Sequence, residues 1–128
     1  MSKQFTLGKE ERLKSRKQTE LLFSGGKKFV SGSLRVYYLY NAAEKTQLLF
    51  GVGVSTKLFK KAASRNRVKR MIRETYRLQK KELRDIVEVT GKSVHVFFIY
   101  TGKDLPVYEE LFQQTGKALE KLCKIMAG

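Results

Sequence analysis

The sequence predicts a small two-layer α+β sandwich, a sheet of about four strands with helices packed on one face, and three observations carry that prediction. Two stretches between Leu34 and Val54 alternate side chains with the two-residue period of a strand. A third stretch, SVHVFFIY at Ser93–Tyr100, is strongly apolar, as a central strand is. Three further segments repeat apolar residues at helical spacing. With 128 residues, 41% of them hydrophobic, and a single proline, the chain is read as one domain spanning 1–128 with one real core.

Taken in order, SRKQ at Ser15–Gln18 fits a capping box, and a short helix through Leu21, Leu22 and Phe23 stops at Gly25–Gly26. Lys28–Val30 allows a brief strand. SLRVYYLYN then sets Leu34, Val36, Tyr38 and Tyr40 against Arg35, Tyr37 and Leu39. QLLFGVGVS sets Leu48, Phe50, Val52 and Val54 against Leu49, Gly51 and Gly53. The two glycines leave that second face nearly bare, so something can lie close to the backbone there. A basic segment follows, helical from about Lys60 to Leu83. After a turn at Thr90–Gly91 comes the apolar strand. In the closing helix Asp104 is the expected N-cap and Pro106 sits in the first turn. Val107, Leu111, Thr115, Ala118, Leu119, Leu122 and Met126 form its apolar stripe.

Charge narrows the function. The formal net charge is +15, and it is concentrated: residues 57–84 carry twelve bases and two acids, whereas 85–128 carry five and six. A polyanion is the partner such a field selects. The longest run free of Asp, Glu, Lys and Arg, Thr46–Thr56, is far short of the ~18 residues that suggest a membrane span. The N-terminus lacks a signal peptide's apolar core, and the lone Cys123 cannot form an internal disulfide. The expectation is a soluble cytoplasmic protein, with no membrane and no protein partner.

Within the basic segment, SRNRVKRMIRETYR at Ser64–Arg77 holds Arg65, Arg67, Lys69, Arg70, Arg73 and Arg77 against one acid, Glu74. At helical spacing Val68, Met71, Ile72, Thr75 and Leu78 form a core stripe. Arg65, Asn66, Lys69, Arg70, Arg73, Arg77, Lys80 and Arg84 form the opposite, cationic arc. A merely solvated face would carry interspersed acids four residues away; like charges at that spacing repel. Arginine outnumbers lysine five to one between Arg65 and Arg77, which suits forked phosphate contacts and stacking. Tyr37 and the bare Gly51/Gly53 strand offer an aromatic surface for a single strand, although ordinary strand packing explains Tyr37 equally well. Self-contained catalysis finds no support. His95 is the only histidine, no cysteine–histidine cluster exists, and the basic region lacks paired carboxylates.

At SRNRVKRMIRE the chain resembles the protein components of bacterial ribonuclease P, whose signature is R-N-R followed by a basic amphipathic run. RLKSRKQTELLFSGG near the N-terminus, the Val54–Ser55 strand end and the order of elements agree with it. The resemblance implies a ribosomal-protein-like fold with a mixed sheet and a left-handed β-α-β crossover, against the usual handedness. It implies a non-catalytic subunit that assists a catalytic RNA in removing the 5′ leader from precursor tRNA, with Mg2+ held mainly by the RNA. Arg65, Asn66, Arg67, Lys69, Arg70, Arg73 and Arg77 would contact the catalytic RNA, while Phe23, Tyr37 and Lys57 would line the leader cleft. Thr19 stands where many members carry an aromatic, which implies weaker leader stacking. The rival readings are a ribosomal or other structural RNA-binding protein, a DNA-binding module, and a stand-alone nuclease.

Overall fold

Among the described residues, four helices and four strands follow one another. They are α1 (Arg16–Gly25), β1 (Lys27–Ser31), β2 (Leu34–Ala42), β3 (Gln47–Val54), α2 (Ala62–Gln79), α3 (Lys81–Thr90), β4 (Lys92–Tyr100) and α4 (Tyr108–Ala127). The structure is a computed structural model and describes residues 12–13, 16–42 and 45–128. Ser15, the expected cap of α1, lies outside them. The sheet is mixed, in the order β1-β2-β4-β3, with β3 and β4 parallel and the other neighbours antiparallel. The apolar Ser93–Tyr100 stretch is therefore interior, as its composition predicted, and Lys28–Val30 does belong to a strand.

Strand alternation sorts the two faces. Leu34, Val36, Tyr38, Phe50, Val52, Val94, Val96 and Phe98 point into the main core, which also takes Val68, Ile72 and Tyr76 of α2, Leu83 and Val87 of α3, and Leu111, Leu119 and Leu122 of α4. The opposite face carries a second, smaller cluster in which Leu22 of α1 packs with Leu13 and Leu49, beside Tyr37, Leu39 and Phe97. Helices thus lie on both faces of the sheet, which corrects the one-face expectation. The physical reason is visible in β4: Phe97 and Ile99 alternate with Val96 and Phe98, so both of its faces need cover.

The long basic helix is divided. Lys80 keeps right-handed helical backbone (φ −75°, ψ −13°), yet α2 stops at Gln79 and α3 starts at Lys81. Gly91, at φ 69°, ends α3 in the left-handed region that suits glycine, its N–H donating to the Val87 carbonyl at 3.0 Å. For α4 the N-cap position is Val107, in extended conformation and without a side-chain cap, not Asp104. Asp104 instead offers its carbonyl to the Tyr100 hydroxyl at 2.8 Å. The predicted α4 stripe is buried from Leu111 to Met126, while Val107 stays 53% exposed. Between α2 and α4 the Thr75 and Thr115 hydroxyls, both fully buried, lie 2.8 Å apart, and Thr75 also donates to the Ile72 carbonyl. This pairing satisfies the two hydroxyls that the apolar stripes carry into the core.

Candidate nucleic-acid interface

Helix α2 is anchored by Val68, Ile72, Thr75 and Tyr76. Tyr76 falls on the arc predicted to be cationic, but its ring stacks on Phe50 with centroids 3.7 Å apart and planes at 1°. Burying so large an aromatic rotates the helix, so Leu78, counted as core, is 40% exposed. Asn66, Arg67, Arg70 and Arg73 are exposed, and Arg65, Lys69 and Arg77 are half-buried. Two residues leave the cationic arc. Lys80 is buried at the α2–α3 junction, beside a cavity of about 210 Å3, and Arg84 lies on α3, 3.6 Å from Glu88.

The basic residues of α2 are not equivalent. Arg65 turns back on the preceding loop, its Nη1 donating to the carbonyls of Phe59 at 2.7 Å and Lys60 at 2.8 Å. It therefore closes the turn where α2 has no side-chain cap. Arg77 forks onto Glu74, with Nε 3.1 Å from Oε2, and this hydrogen bond holds the Glu74 carboxyl below its ordinary range. Arg67, Lys69, Arg70 and Arg73 form no ion pair with any acid among the described residues. They are the cations this face offers to a partner.

On the α1 face, one row of cross-strand neighbours runs across the whole sheet: Lys28 of β1, Tyr37 of β2, Phe97 of β4 and Gly51 of β3. Phe23 of α1 stands over this row, edge-on to Tyr37 (centroids 4.8 Å, 80°) and to Phe97 (5.2 Å, 80°). The cluster occupies the space that Gly51 and Gly53 leave open. A Cβ on Gly51 would come within 2.7 Å of the Phe97 ring, and one on Gly53 within 3.0 Å. What lies close to the bare strand is thus the chain's own Phe97. Phe23 remains 43% exposed and lines an open depression with Lys27, Lys28, Tyr37 and Ile99. Phe97, on which Phe23 packs, also lines a second, smaller cavity of about 260 Å3 with Arg12, Leu13, Gly51 and Arg73 among others.

Of the predicted leader residues, Phe23 and Tyr37 come together. Lys57 sits exposed in the β3–α2 connection, its N–H donating to Ser55 Oγ at 3.2 Å, and it lines neither part of the cleft. Thr19 is half-buried on α1. The sequence reading missed Phe97, whose signal was the bare glycine pair opposite it, and Arg12, which had none. Arg73 belongs to the exposed arc of α2 and also lines the cavity beside Phe97. Burial, and then the charge of Arg12, lower its pKa from the ordinary 12.5. No group of three or more His, Cys, Asp or Glu among the described residues could hold a metal ion. Nor is any helix among them long and apolar enough to cross a membrane.

Fold and surface define the class first: a small α+β protein whose exposed chemistry, arginine forks beside a cluster of edge-on aromatics, is that of a polyanion binder. The model of the Ribonuclease P family matches residues 7–124, and the chain belongs to that family. A ribonuclease P protein component from Porphyromonas gingivalis is 35% identical over 122 residues, covering 92% of this chain and 87% of its own. Another, from Dictyoglomus thermophilum, is 34% identical and matched over 98% of its length. Among solved structures, the RNase P protein of Staphylococcus aureus superposes with a TM-score of 0.62 at 25% identity, covering 91% of this chain and 95% of that one. That of Thermotoga maritima gives 0.59 at 27% identity, with 89% and 96% covered.

Proposed function

We propose that this chain is the non-catalytic protein subunit of a ribonuclease P ribonucleoprotein, binding the catalytic RNA through α2 and the single-stranded leader of precursor tRNA in the α1-side cleft. The observation that carries the reading is that Arg73 of the cationic helix lines the cavity beside Phe97, the ring on which Phe23 of the cleft packs. A cationic helix face and an aromatic groove joined through these residues can hold two RNAs side by side. On α2, the exposed Arg67 and Arg70 and the half-buried Lys69 form no ion pair with an acid among the described residues and suit phosphate oxygens, with Asn66 beside them for a sugar or base edge. Arg65 and Arg77 act on this face in part by shaping it. In the cleft, Phe23, 43% exposed, and the half-buried Tyr37 and Phe97 offer aromatic surface to unstacked bases, a sequence-tolerant mode of holding a single strand.

Hydrolysis in this reading belongs to the RNA. In this reading Mg2+ is held mainly by the RNA subunit; a hard divalent cation wants several oxygen ligands, and among the described residues no group of three or more His, Cys, Asp or Glu is placed to supply them. The protein's contribution is electrostatic: cations between two polyphosphate chains lower their mutual repulsion, and with it the concentration of Mg2+ required. The test is affinity for precursor tRNA with and without a leader, measured for the RNA alone and for the reconstituted complex. The reading expects the protein to tighten binding of the leadered substrate selectively. It also expects log affinity for RNA to fall with log salt at a slope of roughly −0.7 to −0.9 per phosphate contact. Equal gains for both substrates would remove the cleft from the account, and salt-independent binding would remove the electrostatic mechanism.

A further inference from the structure

We propose that Arg12 and Arg73 form a phosphate clamp at the α2 end of the aromatic cleft, taking one phosphodiester of a single strand whose neighbouring bases lie against Phe97 and Phe23. The inference rests on the leader-binding reading and adds to it a residue, a subsite and a direction. Three observations carry it. Both arginines line one cavity with Gly51, Val52 and Phe97, and no acid among the described residues contributes to its wall. The backbone at Arg12 is fixed: it forms a parallel bridge to Phe50, and the next N–H, of Leu13, donates to the Phe50 carbonyl at 2.9 Å. Leu13 is buried in the second core cluster, so Arg12 is held at the sheet edge. Arg73 is fixed from the other side by α2, whose next residues but one, Thr75 and Tyr76, are buried in the main core.

Two guanidinium groups brought together without an acid repel each other, and the lowered pKa of Arg73 registers that repulsion beside the effect of burial. Neither arginine forms an ion pair with an acid among the described residues. A phosphate between them turns the repulsion into two charge-assisted contacts, and each planar fork can present paired donors to its oxygens. The absence of a side chain at Gly51 lets the Phe97 ring lie against the strand beside the two arginines, so a base neighbouring the held phosphate meets that ring. At the far end of the same row sit Lys27 and Lys28. Three strand spacings of about 4.8 Å separate β1 from β3, a span of about 14 Å. Cations at both ends with aromatics between them fit a short strand crossing the sheet from Lys28 to Arg12.

The test uses the complex reconstituted with its catalytic RNA. Precursor tRNAs each carry one uncharged methylphosphonate linkage, moved stepwise along the leader, and their affinity is measured. With the unaltered protein, one position or two adjacent positions should lose roughly tenfold, the lower end for a hydrogen bond to a charged group. With Arg12→Gln or Arg73→Gln, that position should become insensitive while the others keep their profile. The double variant should lose little more than either single one, because a clamp acts as a unit. Unchanged thermal stability and unchanged affinity of Arg12→Gln for the catalytic RNA alone keep folding out of the result. A sensitive position that persists in both variants overturns the clamp. So does a leader with no sensitive position although the protein still tightens leadered substrate. If the protein gives no leader-dependent gain at all, the underlying reading fails together with the clamp.

Discussion

Gly51→Ala adds a single methyl group and tests how tightly the cleft is built. In open space, alanine in place of a strand glycine stabilises by about 0.4–1 kcal/mol through the unfolded chain. Here the new Cβ would stand 2.7 Å and 2.8 Å from two atoms of the Phe97 ring and 3.4 Å from the Leu13 Cβ. The ring cannot swing away freely, because Phe23 stands edge-on to it at 5.2 Å. Overpacking of this kind costs about 1–3 kcal/mol, so the sign reverses to a net loss of about 1–2 kcal/mol. Gly53→Ala, at 3.0 Å and 3.3 Å from the same ring, asks for a shift of only a few tenths of an ångström and should cost less. Urea unfolding of both variants, each also in a Phe97→Leu background, reads the difference. The penalty of Gly51→Ala should shrink by about 1 kcal/mol or more once the ring is gone. A stabilised Gly51→Ala variant, a more damaging Gly53→Ala, or a penalty that survives Phe97→Leu would refute the packing argument.

Three other outcomes follow from particular residues. Thr115→Val leaves the buried Thr75 hydroxyl with one partner fewer and should cost about 1–2 kcal/mol in thermal unfolding, while Thr75→Val/Thr115→Val should cost less than the two single changes added. Burial lowers the pKa of His95 from its ordinary 6.5, and neither ring nitrogen has a hydrogen-bond partner among the described residues. The unfolded chain therefore takes the proton more readily. The neutral form's contribution is complete above about pH 6.5 and is lost as pH falls towards the folded value, so the urea midpoint should drop between pH 7.5 and 5.5 and drop less in His95→Leu. Burial, then the charges of Glu82 and Glu120, push the Cys123 thiol up to about 11. Against a free thiol at the ordinary 9.0, that leaves roughly a hundredfold less thiolate at pH 8, and thiol-disulfide reagents should react with the folded protein correspondingly slowly.

The legible parts of the fold were those set by periodicity. Alternation from Leu34 to Tyr40 and from Leu48 to Val54 placed two strands and sorted their faces correctly, because each strand buries a different set on each side. The α4 stripe from Leu111 to Met126 was read for the same reason. The break at Lys80 was not legible: neither glycine nor proline marks it, its backbone stays helical, and only packing of α3 against α4 sets the new direction. The helical reading assigned Tyr76 to neither face, because by spacing it falls on the cationic arc and only its stacking on Phe50 places it in the core. The R-N-R segment announced the charged face by composition, but not that Arg65 is spent partly on the Phe59 and Lys60 carbonyls. Arg12 could not be found at all from the sequence. Its place in the cleft depends on a single bridge to Phe50, far away along the chain.

The central claim is that this protein helps an RNA to cut. Single-turnover cleavage of precursor tRNA by the matching catalytic RNA at low Mg2+, with and without the protein, tests it most directly. The account predicts a large gain in rate or affinity on adding the protein, reduced by Arg67→Ala/Arg70→Ala on the exposed face of α2 and, for leadered substrate, by Phe23→Ala in the cleft. Cleavage that is indifferent to the protein, while the protein still binds the RNA, would contradict it and leave a basic RNA-binding protein without a role in the reaction.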